Sequence, residues 1–312
     1  MKARQIMPVR ARRSWLFVEG ADETALDAAL DSGADVLIQE LEDFTPPARR
    51  PHARAISAQI IGRWKAAGVV AAVRVNPLED GGLDDLEAVM SGAPDVILLP
   101  KANDAGQIRK LDAAIADLER RNGIGAASTE LVPNIELALG LLNTFSICGA
   151  SPRVSACLVA SEDMAADLGV QRSAGGSELD YVRARFHLEC VAAGVMSIDR
   201  PYTWTDAAGV QADCLGARRL GYQAKSAVHA EHAAIINRTL TPSAQEIAAA
   251  TRMVAAFESA QAAGQGRVEV DGSLVEVPIY RNARRLLDRA IELGVAQAGV
   301  DSGSAQATPV PP

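Results

Sequence analysis

The sequence predicts a (β/α)₈ barrel with a C-terminal helical extension, on three observations. Eight short apolar runs follow one another between residues 14 and 228, each four to eight residues long. They are mostly continuous in hydrophobicity rather than alternating, as strands covered on both faces of a parallel sheet must be. Between them lie Ala-, Leu- and charge-rich stretches at helical spacing, several of which stop at a Gly-containing segment such as "SGAD", "SGAPD" or "AAG". A doubly wound open sheet is the alternative that the same alternation allows.

Taken in order, the runs are "SWLFV" (14–18), "DVLIQEL" (35–41), "VVAAVRV" (69–75), "DVILLP" (95–100), "ELVPNIE" (130–136), "SACLVAS" (155–161), "GVMSID" (194–199) and "GYQAKSAV" (221–228). Stretches such as "DETALDAALDSG" (22–33), "AGQIRKLDAAIADLERR" (105–121) and "SELDYVRARFHLECVAAG" (177–194) supply helices between them. Residues 1–12 form an N-terminal tail, basic but without the apolar stretch of a secretory signal. The barrel spans 13–240. After it the pattern changes. "TPSAQEIAAATRMVAAFESAQAAG" (241–264) reads as a long helix, and "RVEVDGSLVEV" as a hairpin turning at Asp271-Gly272. "PIYRNARRLLDRAIELG" (278–294) reads as a last helix with Pro in its first turn and a solvated Arg-rich face. These elements make an extension over 241–295, either a lid or an oligomer arm. Residues 296–312, rich in Ser, Ala, Gly and Pro without periodicity, are expected to be disordered.

Composition narrows the function. A net charge of −8 argues against broad nucleic-acid or acidic-membrane binding. No run approaches the roughly 18 apolar residues of a membrane helix. The four cysteines (Cys148, Cys157, Cys190, Cys214) show no C-x-x-C spacing and no His partner, and read as reduced core thiols of a cytoplasmic protein. His52 and His187, in helix-like stretches, read as surface or packing residues.

In a barrel of this kind the chemistry sits at the carboxyl ends of the strands. There the chain places Glu40, Glu42 and Asp43 after strand two, Arg74 and Asn76 at strand three, and Lys101 after strand four. Glu136, then Glu162 and Asp163, Asp199, and Lys225 with His229 follow at strands five to eight. Arg74 lies between Val73 and Val75, so its guanidinium is expected over the barrel mouth, where it needs an anion. Glu136 and Asp163, from adjacent strands, suit a hard divalent cation that keeps part of its water, Mg²⁺ with Mn²⁺ as the alternative. Zinc is disfavoured, since neither His nor Cys is near these positions. Lys101 reads either as a ligand contact or as a salt bridge to Glu40 or Glu136.

The segments "RRSWLFVEG", "DVLIQELEDFTPP", "VRVNPL", "VILLPKAND", "PNIELALG", "ASEDMAADLG" and "AKSAVHAEHAAIINRTLTPSAQEI", in this order, resemble the HpcH/HpaI aldolase and citrate lyase beta-subunit family. The resemblance runs from about Arg13 to Gly294. It implies the same barrel and a Mg²⁺-dependent lyase that cleaves or forms a carbon–carbon bond beside a 2-oxo acid. It also implies Glu136 and Asp163 as metal ligands, and Arg74 as the residue holding a substrate carboxylate or oxo oxygen. Glu42 and Asp43 match acids that bind substrate or order water near the metal, and Asp43 stands where a 2-keto aldolase carries His. That favours a β-hydroxyacyl-CoA of malyl or citramalyl type, cleaved to a 2-oxo acid and acetyl-CoA. Glu276 in "LVEVP" falls where CoA-using lyases carry an acid/base Asp donated to a neighbouring subunit, and the resemblance implies a homotrimer or homohexamer. Five departures surround the implied pocket: Glu19 for Pro, Leu137 and Leu139 for Thr and Arg, Ala224 for Gly, and Ala230 for Pro. The alternatives to the lyase are an acyl-CoA thioesterase on the same site, a CoA-free 2-oxo acid aldolase, and a non-catalytic metabolite-binding barrel.

Overall fold

The computed structural model describes residues 6–296 and divides into two units, one ending at Leu240 and one beginning at Thr241. In the first unit eight parallel strands close into a barrel in chain order, β1 (Ser14–Glu19), β2 (Val36–Glu40), β3 (Val70–Arg74), β4 (Val96–Leu99), β5 (Glu130–Ile135), β6 (Ala156–Val159), β7 (Met196–Asp199) and β8 (Ala224–Ala227), with β8 pairing back onto β1. Each lies inside a run expected from sequence, apart from a one-residue extension of β1 to Glu19. The open-sheet alternative is excluded by the β1–β8 pairing.

Ten helices accompany the strands. They are α1 (Glu23–Ala28), α2 (Arg50–Ala66), α3 (Gly82–Val89), α4 (Ala105–Arg121), α5 (Ala138–Leu142), α6 (Thr144–Cys148), α7 (Glu162–Leu168), α8 (Asp180–Ala193), α9 (Ala207–Leu220) and α10 (His232–Leu240). The longest begin where the local chemistry predicts. Asp104 caps α4 in a reciprocal box with Gln107, which satisfies amide groups that a helix start leaves unpaired.

Side chains on a strand alternate between its two faces, and this parity divides the core in two. Trp15, Phe17, Val36, Ile38, Val70, Ala72, Val96, Leu98, Val132, Ala156, Leu158, Ile198 and Ala224 fill the barrel interior. Their strand neighbours, among them Leu16, Leu37, Val73, Ile97, Leu131 and Cys157, face the helix layer. At the amino end Ile6, Met7 and Val9 pack against the interior set. Buried Arg12 pairs both terminal nitrogens with Glu130 at 2.7 and 2.8 Å and donates Nε–H to the Met7 carbonyl at 2.9 Å. Residues 6–12 are therefore packed under the barrel.

The second unit holds α11 (Ala244–Ala262), the hairpin β9 (Val268–Val270) with β10 (Ser273–Val275), and α12 (Val277–Glu292). Ser243 caps α11 in a box with Glu246. Asp271 and Gly272, at φ 50° and 77°, make the turn that strand twist favours in a two-residue hairpin. Ala250 and Val254 of α11 pack with Ala283 and Leu287 of α12, and Phe257 stacks on Tyr280 at 4.8 Å. On the Arg-rich helix Arg281 and Arg285 are exposed and Arg284 approaches Glu258 at 3.7 Å, but Arg289 is buried, which corrects the expectation of a wholly solvated face. The tail expected to be disordered lies, beyond Ala296, outside the described residues.

Candidate active site at the carboxyl rim

Parity carries the polar residues to the rim. In β3 the interior positions are Val70 and Ala72, so the next is Arg74; in β2 they are Val36 and Ile38, so the next is Glu40; in β5 Val132 leads through Asn134 to Glu136. Glu40 and Arg74 are register neighbours, and Arg74 Nε donates to Glu40 Oε1 at 2.8 Å. Glu40 is completed by the backbone N–H groups of Glu42 and Phe44, both at 2.7 Å. Thr45 Oγ1 donates to the Glu40 carbonyl and accepts from Gly20 N–H at 2.8 Å. A side chain at Gly20 would lie 2.3 Å from the Glu40 carbonyl oxygen, so only Gly permits this approach of β1 to the end of β2.

The rest of the guanidinium faces two more acids, with Nη1 3.5 Å from Glu136 and Nη2 3.3 Å from Glu42. Its planar cation lies over Phe17 at 4.9 Å and Phe44 at 5.7 Å, contacts that add attraction in a desolvated site. Lys101, in a left-handed conformation at φ 50°, approaches from the other side. Its Nζ donates to Glu42 at 2.6 Å and lies 3.6 Å from Asp43, while its backbone N–H donates to Glu136 Oε2 at 3.2 Å. The structure shows Lys101 in a salt bridge, with Glu42 and Asp43 as partners in place of Glu40 or Glu136.

A cavity of about 370 Å³ opens above this cluster. Arg74, Asp43, Ser161, Glu162, Asp163 and Thr203 line its polar side, and Phe17, Phe44, Leu158, Ala160, Pro201 and Val228 its apolar side. Asp163, in the first turn of α7, and Arg74 thus face one space. Glu136 is fully buried and does not line the cavity, but the charge of Asp163 reaches it. Burial pushes Glu136 up to about 8, helped by Glu42 and Asp163 and opposed by Arg74 and Lys101. Burial also raises Glu42, where Arg74 and Lys101 pull back and Asp43 adds to the rise.

Five carboxylates (Glu40, Glu42, Asp43, Glu136, Asp163) therefore meet two cations (Arg74, Lys101), leaving an excess of negative charge. Glu42 Oε2 is buried with no hydrogen bond, only the ion pair to Arg74 Nη2 at 3.3 Å. An all-oxygen donor set with surplus charge fits a hard divalent cation.

Other expected rim residues go elsewhere. Asp199 and Lys225 have the opposite parity, face the helix layer and are fully buried. Asp199 takes two bonds from Arg183 at 2.9 and 2.8 Å and one from Lys225 at 2.7 Å, while Asp213 bridges Lys225 at 2.5 Å and Arg200 at 3.0 Å. Glu162 lines the cavity but is bound to Arg172 at 3.2 Å and Thr203 at 3.1 Å. Asn76 is held by Asp85 and His229 by the Thr203 carbonyl at 3.1 Å. Glu276 belongs to the second unit, exposed just before α12 and without a capping bond. Of the departures, Glu19 pairs with Arg49 at 2.5 Å and Leu139 is exposed; neither lines the cavity. Sequence reasoning put Glu40 on the rim without its pairing to Arg74, and did not single out Phe17 or Phe44. The parity of Phe17 and Glu40 was the signal available for two of them.

A closed parallel barrel that gathers a surplus of carboxylates round one buried guanidinium, beneath a cavity at its carboxyl rim, has the form of an enzyme active site. The chain belongs to the HpcH/HpaI aldolase/citrate lyase family, whose sequence model it matches over residues 13–230. It is 30% identical to the citrate lyase subunit beta of Escherichia coli (strain K12) over 290 residues, covering 92% of this chain and 96% of that protein. It is 31% identical to a (3S)-malyl-CoA thioesterase of Cereibacter sphaeroides (strain ATCC 17029) over 294 residues, with 92% and 97% covered. Among solved structures it resembles protein CitE from Mycobacterium tuberculosis in complex with magnesium, acetoacetate and coenzyme A, at TM-score 0.74 and 26% identity over 90% of this chain and 99% of that one. At family level this places the chain among CoA-related lyases. Among the described residues no helix is long and apolar enough to cross a membrane.

Proposed function

We propose that the chain is a Mg²⁺-dependent lyase that reversibly cleaves a β-hydroxyacyl-CoA of malyl or citramalyl type to a 2-oxo acid and acetyl-CoA. The observation that carries this reading is that Arg74 and Asp163 line one small cavity, with Glu136 buried 3.5 Å from Arg74 and within reach of the charge of Asp163. Glu136 and Asp163 would hold the cation, with Mn²⁺ as the alternative ion. Bound there, it supplies a Lewis acid for the carboxylate and adjacent oxygen of the oxo-acid half.

The chain's own residues do the rest. Arg74, fixed by Glu40 and with the Phe17 and Phe44 rings beside its cation, lines the cavity and would stabilise the oxygen that becomes anionic as the bond breaks. Lys101 holds Glu42 in place and presents a second positive charge near Asp43. Asp43 and Glu42 bind and orient the polar end of the substrate. The apolar side of the cavity excludes water from the acyl carbons. At about 370 Å³ the cavity is near the lower end for small-molecule sites, sized for the acid portion rather than a whole nucleotide. Glu276, from a neighbouring copy in a homotrimer or homohexamer, is the proposed acid/base group at the enolate carbon.

Thioester hydrolysis is the second reading, favoured by the identity to the malyl-CoA thioesterase. One assay separates the two. Malyl-, citramalyl- and citryl-CoA are incubated with and without Mg²⁺, and free oxo acid and free thiol are measured separately. Oxo acid without a matching rise in thiol supports the lyase; thiol without oxo acid supports hydrolysis; turnover unaffected by chelator overturns both metal assignments.

A further inference from the structure

Three cysteines distant in sequence meet behind the sixth strand. Cys157 is the second residue of β6, turned toward the helix layer while Ala156 and Leu158 face the interior. Cys148 ends α6 and Cys190 sits in α8. All three are buried and free, and their sulfur atoms all lie within 4.8 Å of one another. Three sulfurs in a plane around one ion at about 2.3 Å stand about 4.0 Å apart, so small side-chain shifts would close this group on an ion.

The surroundings select the ion. No histidine or carboxylate completes the group among the described residues. Glu189, next to Cys190, has both oxygens occupied, by Phe145 N–H and by Arg185, each at 2.9 Å. The Pro133 carbonyl accepts from the Cys157 thiol at 3.2 Å. Structural zinc takes four ligands, whereas soft monovalent d¹⁰ ions are selected by sulfur alone. We propose that Cys148, Cys157 and Cys190 form a three-sulfur site for a thiophilic ion of the copper(I) class, separate from the carboxylate cluster at the rim. The ion displaces thiol protons to solvent and keeps its oxidation state. Entry is from the side of Cys148, the last residue of a five-residue helix whose Phe145, Ser146 and Gly149 are exposed. The ion would tie β6, which leads into α7 and Asp163, to two helices of the outer layer.

Anaerobic titration of the full chain with copper(I) against a chromophoric copper(I) chelator tests the site. One equivalent should be withheld from the chelator, with X-ray absorption showing sulfur neighbours only and a higher Tm for the loaded protein. Cys157→Ala should abolish retention and the Tm shift, while Cys214→Ser, which alters the fourth cysteine, should keep both. If Cys157→Ala does not fold, Cys148→Ser at the helix end gives the same readout. Failure to compete with the chelator, or retention in the Cys157 or Cys148 variant, would each overturn the proposal.

Discussion

Two of the buried ionic clusters in this barrel differ in sign and in what lies beside them. At the rim, Glu40, Glu42 and Glu136 crowd Arg74 beneath a cavity, and Glu136 is driven up to about 8 by burial and like charge. In the wall behind β7 and β8, Asp199 and Asp213 are shared by Arg183, Arg200 and Lys225. There burial works to raise Asp199, but Lys225, Arg183 and Arg200 outweigh it and hold the carboxyl at about 2. A surplus of acids against an open space leaves work for a ligand; acids outnumbered by cations and sealed in apolar packing fasten the structure.

The largest effect expected from breaking this contrast is on stability. Asp199→Ala would leave Lys225, Arg183 and Arg200 with Asp213 as their one remaining anion and should cost about 3–5 kcal/mol in denaturant unfolding. Glu136→Gln should do the reverse. Burial already favours the neutral carboxyl, so an amide in its place should leave Tm nearly unchanged, while turnover falls about 10³-fold, or about 4 kcal/mol. The pH dependence separates the clusters further. In chelator, the folded-state rise of Glu136 from an ordinary 4.5 contributes stability below about 4.5 that is lost as pH climbs through about 8, and Glu136→Gln should flatten that window. Asp199, depressed from 3.8, contributes stability above about 3.8 that is lost as pH falls through about 2. Lys101→Met, at a part-exposed ion pair, should lower turnover about five- to tenfold, about 1 kcal/mol. The surface pair sets the lower end: Glu19→Ala should change stability by less than about 0.5 kcal/mol and leave turnover alone.

The barrel was legible because its strands are buried on both faces and so read as unbroken apolar runs. The rim was legible only where parity could be counted. Val73 and Val75 gave Arg74 its direction, and the structure bears that out. Asp199 and Lys225 were misplaced because standing near a strand's end does not say which face a side chain takes. Glu40 shares the parity of Arg74, yet its role depends on amides of the following loop, whose path the sequence does not announce. The left-handed turn at Lys101 is equally silent, since Lys has no preference for it. The cysteine triad could not be read at all: spacings between residues 148, 157 and 190 say nothing when three separate elements supply them.

Arg12, folded over Glu130 and set 5.9 Å from the Trp15 ring, has a consequence for anyone who trims this chain. A version begun at Ser14 would lose the floor beneath a barrel whose interior stays filled. Water entering from below would reach Trp15 and the lowest apolar tier, and tryptophan fluorescence should shift to the red before any change is seen at the opposite mouth.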